Sequence, residues 1–179
     1  MGKGKGSSMR VADAIFERLK SEASHAYMIT GGGAMYLTDA LGKSGMRYVA
    51  AIHEEGAGCM ALGHAMATNG LGVCLVTSGP GSTNVLTACA AAWTDSVPVL
   101  FISGQAKTTT LIGNSGLRTR GIQEIDIWPM VGPITKKARQ IMGKDEAMPY
   151  LEQMIELCKS GRPGPCWLAV PLDIQGMEL

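Results

Sequence analysis

The chain has 179 residues, of which 16 are lysine or arginine and 15 are aspartate or glutamate, giving a formal net charge of +1. This length favours a single domain, and the balanced charge argues against a surface for nucleic acid or for an anionic membrane. No apolar run reaches the roughly 18 residues that a membrane-spanning helix needs, so we expect neither partner.

The five cysteines show no Cys-x-x-Cys pairing, and most lie in apolar runs, where a thiol behaves as a small hydrophobic group. This usage predicts a reduced, cytoplasmic protein. Residues 1–8 are rich in glycine, lysine and serine and lack the apolar centre of a secretion signal, so we interpret them as a tag or a disordered lead. Residues 9–179 then form one domain, with Met9 as the natural start.

From residue 11 onwards, helix-like and strand-like segments alternate. Apolar residues at helical spacing predict a first helix, and the first apolar strand ends in the turn Gly31-Gly32-Gly33. The predicted strands are residues 26–29, 48–52 (a buried strand), 71–76, 97–102 and 166–170. The predicted helices are residues 11–20, 34–41, 54–68, 82–93, 122–131 and 147–159, with a long polar loop over residues 105–121.

Strands that are apolar throughout and alternate with helices indicate a parallel sheet covered on both faces. We therefore expect an α/β domain with about five or six parallel strands and helices on both faces, joined by right-handed crossovers. In such sheets ligands bind beyond the carboxyl ends of the strands. Two stretches follow predicted strands in this way: residues 52–58, which contain Glu54, and residues 77–84, which contain a Ser-Gly-Pro-Gly turn.

The residues by themselves leave two interpretations open. Backbone N–H groups of the turn Ser78-Gly79-Pro80-Gly81 could bind a phosphate, and Glu54 follows the first glycine turn by about 20 residues, where a ribose-binding acid of a Rossmann-like nucleotide site would stand. However, the chain has no GxxxxGK[ST] segment, and Tyr36 replaces the third glycine of GxGxxG. Alternatively, Glu54 only stabilises the first turn of a helix.

Several segments together resemble the N-terminal pyrimidine-binding domain of thiamine-diphosphate enzymes, most closely the acetolactate synthase family. They occur in the family's order and span nearly the whole chain from Met9. The segments are Gly31-Gly32-Gly33-Ala34, His53-Glu54 with Gly56-Ala57, Thr77-Ser78-Gly79-Pro80-Gly81 with Asn84, Ser96-Val97-Pro98, Gly104-Gln105, Gln123-Glu124 with Asp126, Pro133-Ile134-Thr135-Lys136, and Gly161-Arg162-Pro163-Gly164-Pro165.

This resemblance implies that thiamine diphosphate binds across a subunit interface and acts on the carbonyl of a 2-oxo acid. Glu54 is then the first catalytic residue, because its hydrogen bond to the pyrimidine ring nitrogen favours the imino form of the cofactor. Gln105 is the second catalytic candidate. The residues expected to shape the pyrimidine pocket, besides Glu54, are Ser78, Gly79, Pro80, Gly81 and Asn84.

The proposed chemistry requires a setting of low dielectric for Glu54, which the apolar residues 56–60 would provide. The start of a helix instead favours the ionised carboxylate, and the sequence leaves this balance open. The resemblance also places Gly32, Gly33 and Lys136 near the reacting end of the cofactor or the substrate. Without the resemblance, Lys136 would be interpreted as a solvated lysine.

The acceptor substrate remains open, because Glu55 stands where acetolactate synthases usually have glutamine. Acetolactate formation, decarboxylation and acetyl transfer to a keto-sugar all fit, and residues 117–124 are more similar to acetolactate-synthase-like proteins of surface-polysaccharide gene clusters. Arg118 and Arg120 could pair with a substrate carboxylate, although a solvated loop explains them equally well. The remaining histidines, His25 and His64, have no second metal-ligand type at useful spacing, so no metal site is expected.

The family holds the diphosphate and Mg²⁺ on a separate domain with a Gly-Asp-Gly segment, which this sequence lacks. We therefore expect a half-site that is inactive alone and meets the diphosphate-binding domain of another subunit, in a homo-oligomer. The central and diphosphate-binding domains are absent from the sequence. It is either a piece of a longer enzyme, which its end near a family linker favours, or a natural subunit of a two-chain 2-oxo acid decarboxylase. A non-catalytic module that keeps the fold is a further alternative.

Overall fold

Residues 9–179 are described by a computed structural model, so the interpretation of residues 1–8 as a lead lies outside the described residues. The strands are β1 (His25–Met28), β2 (Arg47–Ala50), β3 (Gly72–Val76), β4 (Val99–Gln105), β5 (Lys137–Gln140) and β6 (Cys166–Pro171). They form a six-stranded sheet in the order β2-β1-β3-β4-β6-β5, with every pair parallel. The expected α/β class with about five or six parallel strands is confirmed.

Helices cover both faces of the sheet. They are α1 (Val11–Leu19), α2 (Met35–Lys43), α3 (Glu54–Thr68), α4 (Pro80–Asn84), α5 (Leu86–Thr94), α6 (Trp128–Val131), α7 (Lys144–Lys159) and α8 (Leu172–Gln175), with short 3₁₀ turns at Gly32–Ala34, Thr108–Thr110 and Gly132–Ile134. One apolar core lies between the sheet and α1, α2 and α7, and a second lies between the opposite face and α3 and α5.

The central strand β3 shows why the sequence specifies this layering. All of its residues are buried, and alternate side chains enter different cores. Val73 and Leu75 belong to the core under α1, α2 and α7, whereas Cys74 and Val76 belong to the core under α3 and α5. A strand buried on both faces must be apolar throughout, which is the pattern that the sequence carries.

Four cysteines are buried as free thiols, and Cys59 is exposed. Burial raises the pKa of Cys89 to about 12, so its thiol stays protonated and packs as a small apolar group. Within residues 9–179, no helix combines the length and the apolar character needed to cross a membrane.

The helix predicted over residues 54–68 is confirmed at both ends by α3. The prediction of a buried strand over residues 48–52 is wrong in its burial, because β2 is an edge strand and all four of its residues are exposed. The helix predicted over residues 82–93 is two helices, α4 and α5. Strand β5 and helix α8 were not predicted, since the sequence Lys-Ala-Arg-Gln of β5 lacks the apolar pattern of a central strand.

Candidate active site

The carboxyl ends of β1 and β3 meet at the topological switch point of the sheet. The next strand along the chain after β1, strand β2, lies on one side of β1, and strand β3 lies on the other side. Open α/β sheets bind ligands at the point where the strand order reverses in this way. The glycine turn after β1 is bonded to the turn after β3, because the Gly33 N–H donates to Thr77 Oγ1 over 3.0 Å. A Cβ at Gly31 would overlap the Thr77 side chain, so this close approach requires glycine.

Glu54 begins α3 directly after the edge strand β2, and the His53 side chain caps the helix by accepting from the Glu55 N–H over 3.3 Å. Glu54 Oε2 accepts a hydrogen bond of 3.0 Å from Asn84 Nδ2. Its other oxygen, Oε1, faces Gly81, where an added Cβ would stand 3.6 Å away. The structure thus brings the predicted residues Glu54, Gly81 and Asn84 together.

The environment of Glu54 differs from the expected dry one. The side chain is half-buried, and Cys59, which was expected to help enclose it, is exposed. Of residues 56–60, Ala57 is buried in the second core and Cys59 is exposed, and the Glu54 side chain stays half-buried. Further low-dielectric enclosure of Glu54 must come from other residues.

The Ser78-Gly79-Pro80-Gly81 turn has a conformation that glycine alone adopts without strain. Gly79 has φ 58° and ψ −116°, and a Cβ there would overlap the Gln123 carbonyl oxygen. Pro80 is the first residue of α4, a position that tolerates its missing N–H. The Ser82 hydroxyl donates to the Thr77 carbonyl over 2.8 Å and closes the turn.

A cleft of about 460 Å³ opens beside this turn, at the carboxyl edge of the sheet. Its lining includes two cationic side chains, Lys107 and Arg120, and no carboxylate. Gly32 has open space around the position of a Cβ, so the cleft reaches its backbone. The remaining lining residues are Gly33, Met35, Ser78, Gln105, Ala106, Thr110, Gly121, Ile122, Gln123 and Leu172.

Gln105 lines the cleft, but its amide is fully engaged within the protein. The side chain is 2% exposed, and Nε2 donates to the Ile125 carbonyl over 2.9 Å and to Gln140 Oε1 over 3.2 Å. Oε1 accepts from the Ala106 N–H over 2.9 Å. Gln105 therefore anchors the segment around Ile125, and its catalytic role stays a prediction.

Lys136 does not reach this edge of the sheet. It precedes β5 and therefore lies at the amino ends of the parallel strands, opposite Glu54. Its ammonium group donates to the Ser160 carbonyl over 2.6 Å and also to the Leu157 carbonyl, at the end of α7. The expectation that Lys136 borders the substrate is corrected accordingly, because the interactions it makes are those of a helix C-cap.

The family model described as "Thiamine pyrophosphate enzyme, N-terminal TPP binding domain" matches residues 9–130, more than half of the chain. The chain belongs to the thiamine pyrophosphate enzyme family. The match covers the glycine turn after β1, the Glu54 helix start and the turn after β3, which are the elements that the fold brings to one edge.

Curated relatives of this TPP-binding domain include acetolactate synthases. The chain is 38% identical over 172 residues to a probable acetolactate synthase large subunit of Methanocaldococcus jannaschii, covering 96% of this chain and 28% of that protein. It is 38% identical over 173 residues to the acetolactate synthase large subunit of Corynebacterium glutamicum, covering 96% and 27%. It is 36% identical over 176 residues to the glyoxylate carboligase of Escherichia coli O157:H7, covering 97% and 29%. The chain thus spans less than a third of each relative.

The fold of the TPP-binding domain also occurs in a solved structure, the thiamine diphosphate-dependent 4-hydroxybenzoylformate decarboxylase of Rhodococcus jostii RHA1. The two chains superpose with a TM-score of 0.82 over 94% of this chain and 31% of the other. At 20% sequence identity, this similarity concerns the fold alone.

Gln123 is a cleft residue of the TPP-binding domain that the sequence reasoning did not select. Its backbone has φ 54°, which is uncommon for a residue with a side chain, and its carbonyl packs against Gly79. The side chain is exposed and lines the cleft. Gln123 belongs to the Gln123-Glu124 segment that resembles the family, but only the tertiary structure shows which of these two side chains lines the cleft.

Two carboxylates hold the long loop that carries Gln123. Glu124 is 7% exposed and accepts from the N–H groups of Arg120 and Gly121 over 3.2 and 2.9 Å. Asp173 accepts from the Thr108 N–H over 3.0 Å and from its hydroxyl. The loop that was predicted to be long and polar is therefore fixed at two points beside the cleft, while Arg118 remains exposed.

The residues present fit the pyrimidine end of thiamine pyrophosphate. Glu54 offers a carboxylate oxygen, Oε1, that accepts no hydrogen bond from the described residues and lies beside Gly81, where an added Cβ would overlap the Thr77 side chain. No described part of the chain contains a group of three or more histidine, cysteine or acidic side chains placed to hold a metal ion. The fit therefore extends to the ring and not to the metal-bound diphosphate.

Proposed function

We propose that this chain is the pyrimidine-binding half-site of a thiamine pyrophosphate enzyme that acts on a 2-oxo acid, in the manner of acetolactate synthase. The observation that carries the proposal is the position of Glu54. Asn84 holds its carboxylate beside Gly81, at the switch point of the sheet. The chain that forms this sheet belongs to the thiamine pyrophosphate enzyme family.

The protein's contribution is to hold one carboxylate in a defined orientation. Asn84 binds Glu54 Oε2 and leaves Oε1 to hydrogen-bond a pyrimidine ring nitrogen and to share a proton with it. Thiamine pyrophosphate, when bound, supplies the carbanion chemistry at the carbonyl of the substrate. Ser78, Gly79, Pro80 and Gly81 shape the pocket around the ring, with a backbone that approaches closely because two of the four residues are glycine.

The cleft is the proposed location of the reacting end. Gly32, Gly33 and Gln123 line it, and the cations Lys107 and Arg120 favour an anionic substrate such as a 2-oxo acid. The relatives named acetolactate synthase and glyoxylate carboligase suggest pyruvate and glyoxylate as first candidates. Because Glu55 stands where acetolactate synthases usually have glutamine, the acceptor substrate is to be identified by assay.

A second protein surface completes the site in this proposal. Glu54 is half-buried and needs an enclosure that residues 56–60 do not provide. A diphosphate-binding domain of another subunit, holding the diphosphate through Mg²⁺, would supply it within a homo-oligomer or within a complex of two kinds of chain. The free thiols are in keeping with a cytoplasmic location.

The test compares Glu54→Gln with Glu55→Gln in the full-length protein encoded around this chain, with thiamine pyrophosphate and Mg²⁺ present. Carbon dioxide release from pyruvate and from glyoxylate is measured. We expect Glu54→Gln to lower kcat by roughly 10²- to 10⁴-fold, because general acid–base groups contribute about that much. The Glu55→Gln control removes the neighbouring charge in the same helical turn and should retain activity.

Two outcomes would contradict the proposal. The first is a Glu54→Gln enzyme as active as the wild type, which would leave the carboxylate without a catalytic role. The second is the absence of carbon dioxide release from either substrate by the wild-type full-length protein. A nucleotide titration of the same protein would then examine the Rossmann-like alternative.

A further inference from the structure

Two histidines far apart in the sequence meet on the surface away from the candidate active site. His25 begins β1 and His64 lies in the C-terminal half of α3. Their ring centres are 5.3 Å apart, with the ring planes inclined by 57°. Neither residue has a partner nearby in the sequence, and the packing of α3 against β1 provides one.

Both rings direct a nitrogen at the same hydroxyl group. Ser24 Oγ lies 2.9 Å from His25 Nδ1 and 3.3 Å from His64 Nε2. Hydrogen bonds to an imidazole lie near the ring plane, along the direction of the nitrogen lone pair or N–H. Two imidazole nitrogens therefore point at one hydroxyl oxygen at the protein surface.

Tyr27 contacts the other ring nitrogen of His64. The Tyr27 hydroxyl lies 3.1 Å from His64 Nδ1, the nitrogen opposite the one that faces Ser24. When Nδ1–H donates to the tyrosine oxygen, the lone pair is on Nε2. Metal-binding histidines in proteins are oriented in this way, by a hydrogen bond at the nitrogen that does not bind the metal.

The spacing of the rings matches that of a shared cation. Zinc–nitrogen bonds of about 2.0–2.1 Å put each ring centre about 3.2 Å from the ion, so two imidazoles at a tetrahedral angle have centres about 5.2 Å apart. The observed separation is 5.3 Å. An ion between the two nitrogens would require the Ser24 hydroxyl, which now hydrogen-bonds to both, to move aside as it becomes a ligand.

We propose that His25 Nδ1 and His64 Nε2, together with the Ser24 hydroxyl, bind a divalent late first-row transition-metal ion of the zinc class. Water completes the coordination. No cluster of three or more histidine, cysteine or acidic side chains is found among residues 9–179, so the site has two imidazole ligands and otherwise oxygen. Imidazole selects zinc, nickel and copper over Mg²⁺ and Ca²⁺, which prefer oxygen ligands.

A metal ion at this position would stabilise the fold. It would connect the start of β1 to α3, the helix whose first residue is Glu54. An ion that binds the folded chain and not the unfolded one raises the stability of the fold by mass action. The proposal is independent of the proposed catalytic function, because binding and unfolding are measured without cofactor or substrate.

The test is a calorimetric titration of the chain with zinc chloride, with Mg²⁺ and Ca²⁺ as control ions. One zinc ion per chain is expected, with a higher unfolding midpoint in its presence. His25→Ala and His64→Ala should each weaken binding by at least about tenfold, since even loss of a supporting hydrogen bond costs 10–100-fold. Tyr27→Phe, which keeps both imidazoles and the ring packing, should weaken it by about tenfold.

The chain supplies its own matched controls. His53 is the third histidine, at the start of α3, and Cys59 is the exposed thiol of the same helix. His53→Ala and Cys59→Ser should leave zinc binding unchanged. The proposal is overturned if either control abolishes binding, if His25→Ala or His64→Ala binds zinc as the wild type does, or if the wild type takes up no zinc.

Discussion

The side-chain amide of Asn84 donates a hydrogen bond of 3.0 Å to Glu54 Oε2, although thirty positions separate the two residues. Glu54 follows β2 and Asn84 closes the short helix after β3. Strand β1 lies between those two strands, so the bond spans the glycine turn at the switch point. This pair fixes the orientation of the carboxylate on which the proposed function depends.

Asn84→Ala should lower kcat/KM of the full-length enzyme by roughly 10- to 100-fold, as expected when a group that orients a catalytic residue is removed. The reason is that Glu54 loses the hydrogen bond that fixes its rotamer. Steady-state kinetics with the 2-oxo acid substrate provide the measurement. Asn114→Ala, in the exposed part of the long loop, is the control and should have no effect. Equal activities of the two variants would show that Asn84 does not position Glu54.

Gly79→Ala should destabilise the chain by more than about 2 kcal/mol, because it combines a strained conformation with a steric overlap. The residue has φ 58°, and a Cβ would meet the Gln123 carbonyl oxygen. Urea unfolding gives the free-energy difference. The control is Gly63→Ala, an exposed helical position with open space, where we expect a gain of about 0.5–1 kcal/mol. A neutral Gly79→Ala would mean that the turn relaxes.

Gln105→Ala and Gln123→Ala should have opposite signatures. Loss of Gln105 leaves the Ile125 carbonyl and the Ala106 N–H without partners, so we expect a stability loss of about 1–3 kcal/mol. Loss of Gln123 removes an exposed side chain from the cleft and should lower kcat/KM of the full-length enzyme while changing stability by less than about 0.5 kcal/mol. Unfolding and kinetic measurements on both variants distinguish these roles. A fall in kcat/KM for Gln105→Ala without a loss of stability would support Gln105 as the catalytic residue.

Lys136→Met should affect stability and not catalysis. The variant keeps the apolar stem but removes the ammonium group from the Leu157 and Ser160 carbonyls, for a loss of about 1–3 kcal/mol. Lys20→Met, which breaks only the surface pair with Glu17, should change stability by less than about 1 kcal/mol. A fall in kcat/KM of the full-length Lys136→Met enzyme without a loss of stability would instead support the substrate role first expected of this residue.

Asp173 should make the fold sensitive to acid. Burial pushes the pKa of Asp173 upwards, but the hydrogen bonds from Thr108 and nearby backbone N–H groups outweigh it, so the pKa lies below its ordinary value of 3.8. Because the folded pKa is depressed, the stabilisation is present above pH 3.8 and is lost as the pH falls through the folded pKa.

We therefore expect the free energy of unfolding to fall less steeply as the pH drops below about 3.8 in Asp173→Asn than in the wild type. Thr108→Ala keeps the carboxylate but removes the hydroxyl donor, so it should flatten the profile partly. Urea unfolding at several pH values supplies the data. Parallel profiles for all three proteins would contradict the assignment.

The fold was predictable from the sequence wherever a segment is surrounded by protein. Strand β3 and helix α3 were recognised because each leaves a local signature, an apolar run in one case and a run of small and apolar residues in the other. The edge strands were not described correctly. Strand β2 is exposed and β5 is half-buried. Their amino-acid composition therefore reflects their place at the edge of the sheet more than their extended conformation.

The site was predictable where motif and strand end coincide, as for Glu54, Gly81 and Asn84. Lys136 was misplaced because similarity in sequence does not state at which end of a strand a residue lies. Gln105 lines the cleft as expected, but its motif does not show that the amide is already hydrogen-bonded within the protein. The pair His25 and His64 was dismissed because their proximity arises only from the packing of α3 on β1.

The sequence by itself determined the alternation of helices and buried strands, the glycine turns and the family motifs, since each of these depends on residues within one or two turns of chain. The tertiary structure alone decided which turns face each other, which amides are already bonded and which histidines meet. These relationships follow from the strand order and from helix packing, which join residues that are far apart in the chain and leave no local signature in it.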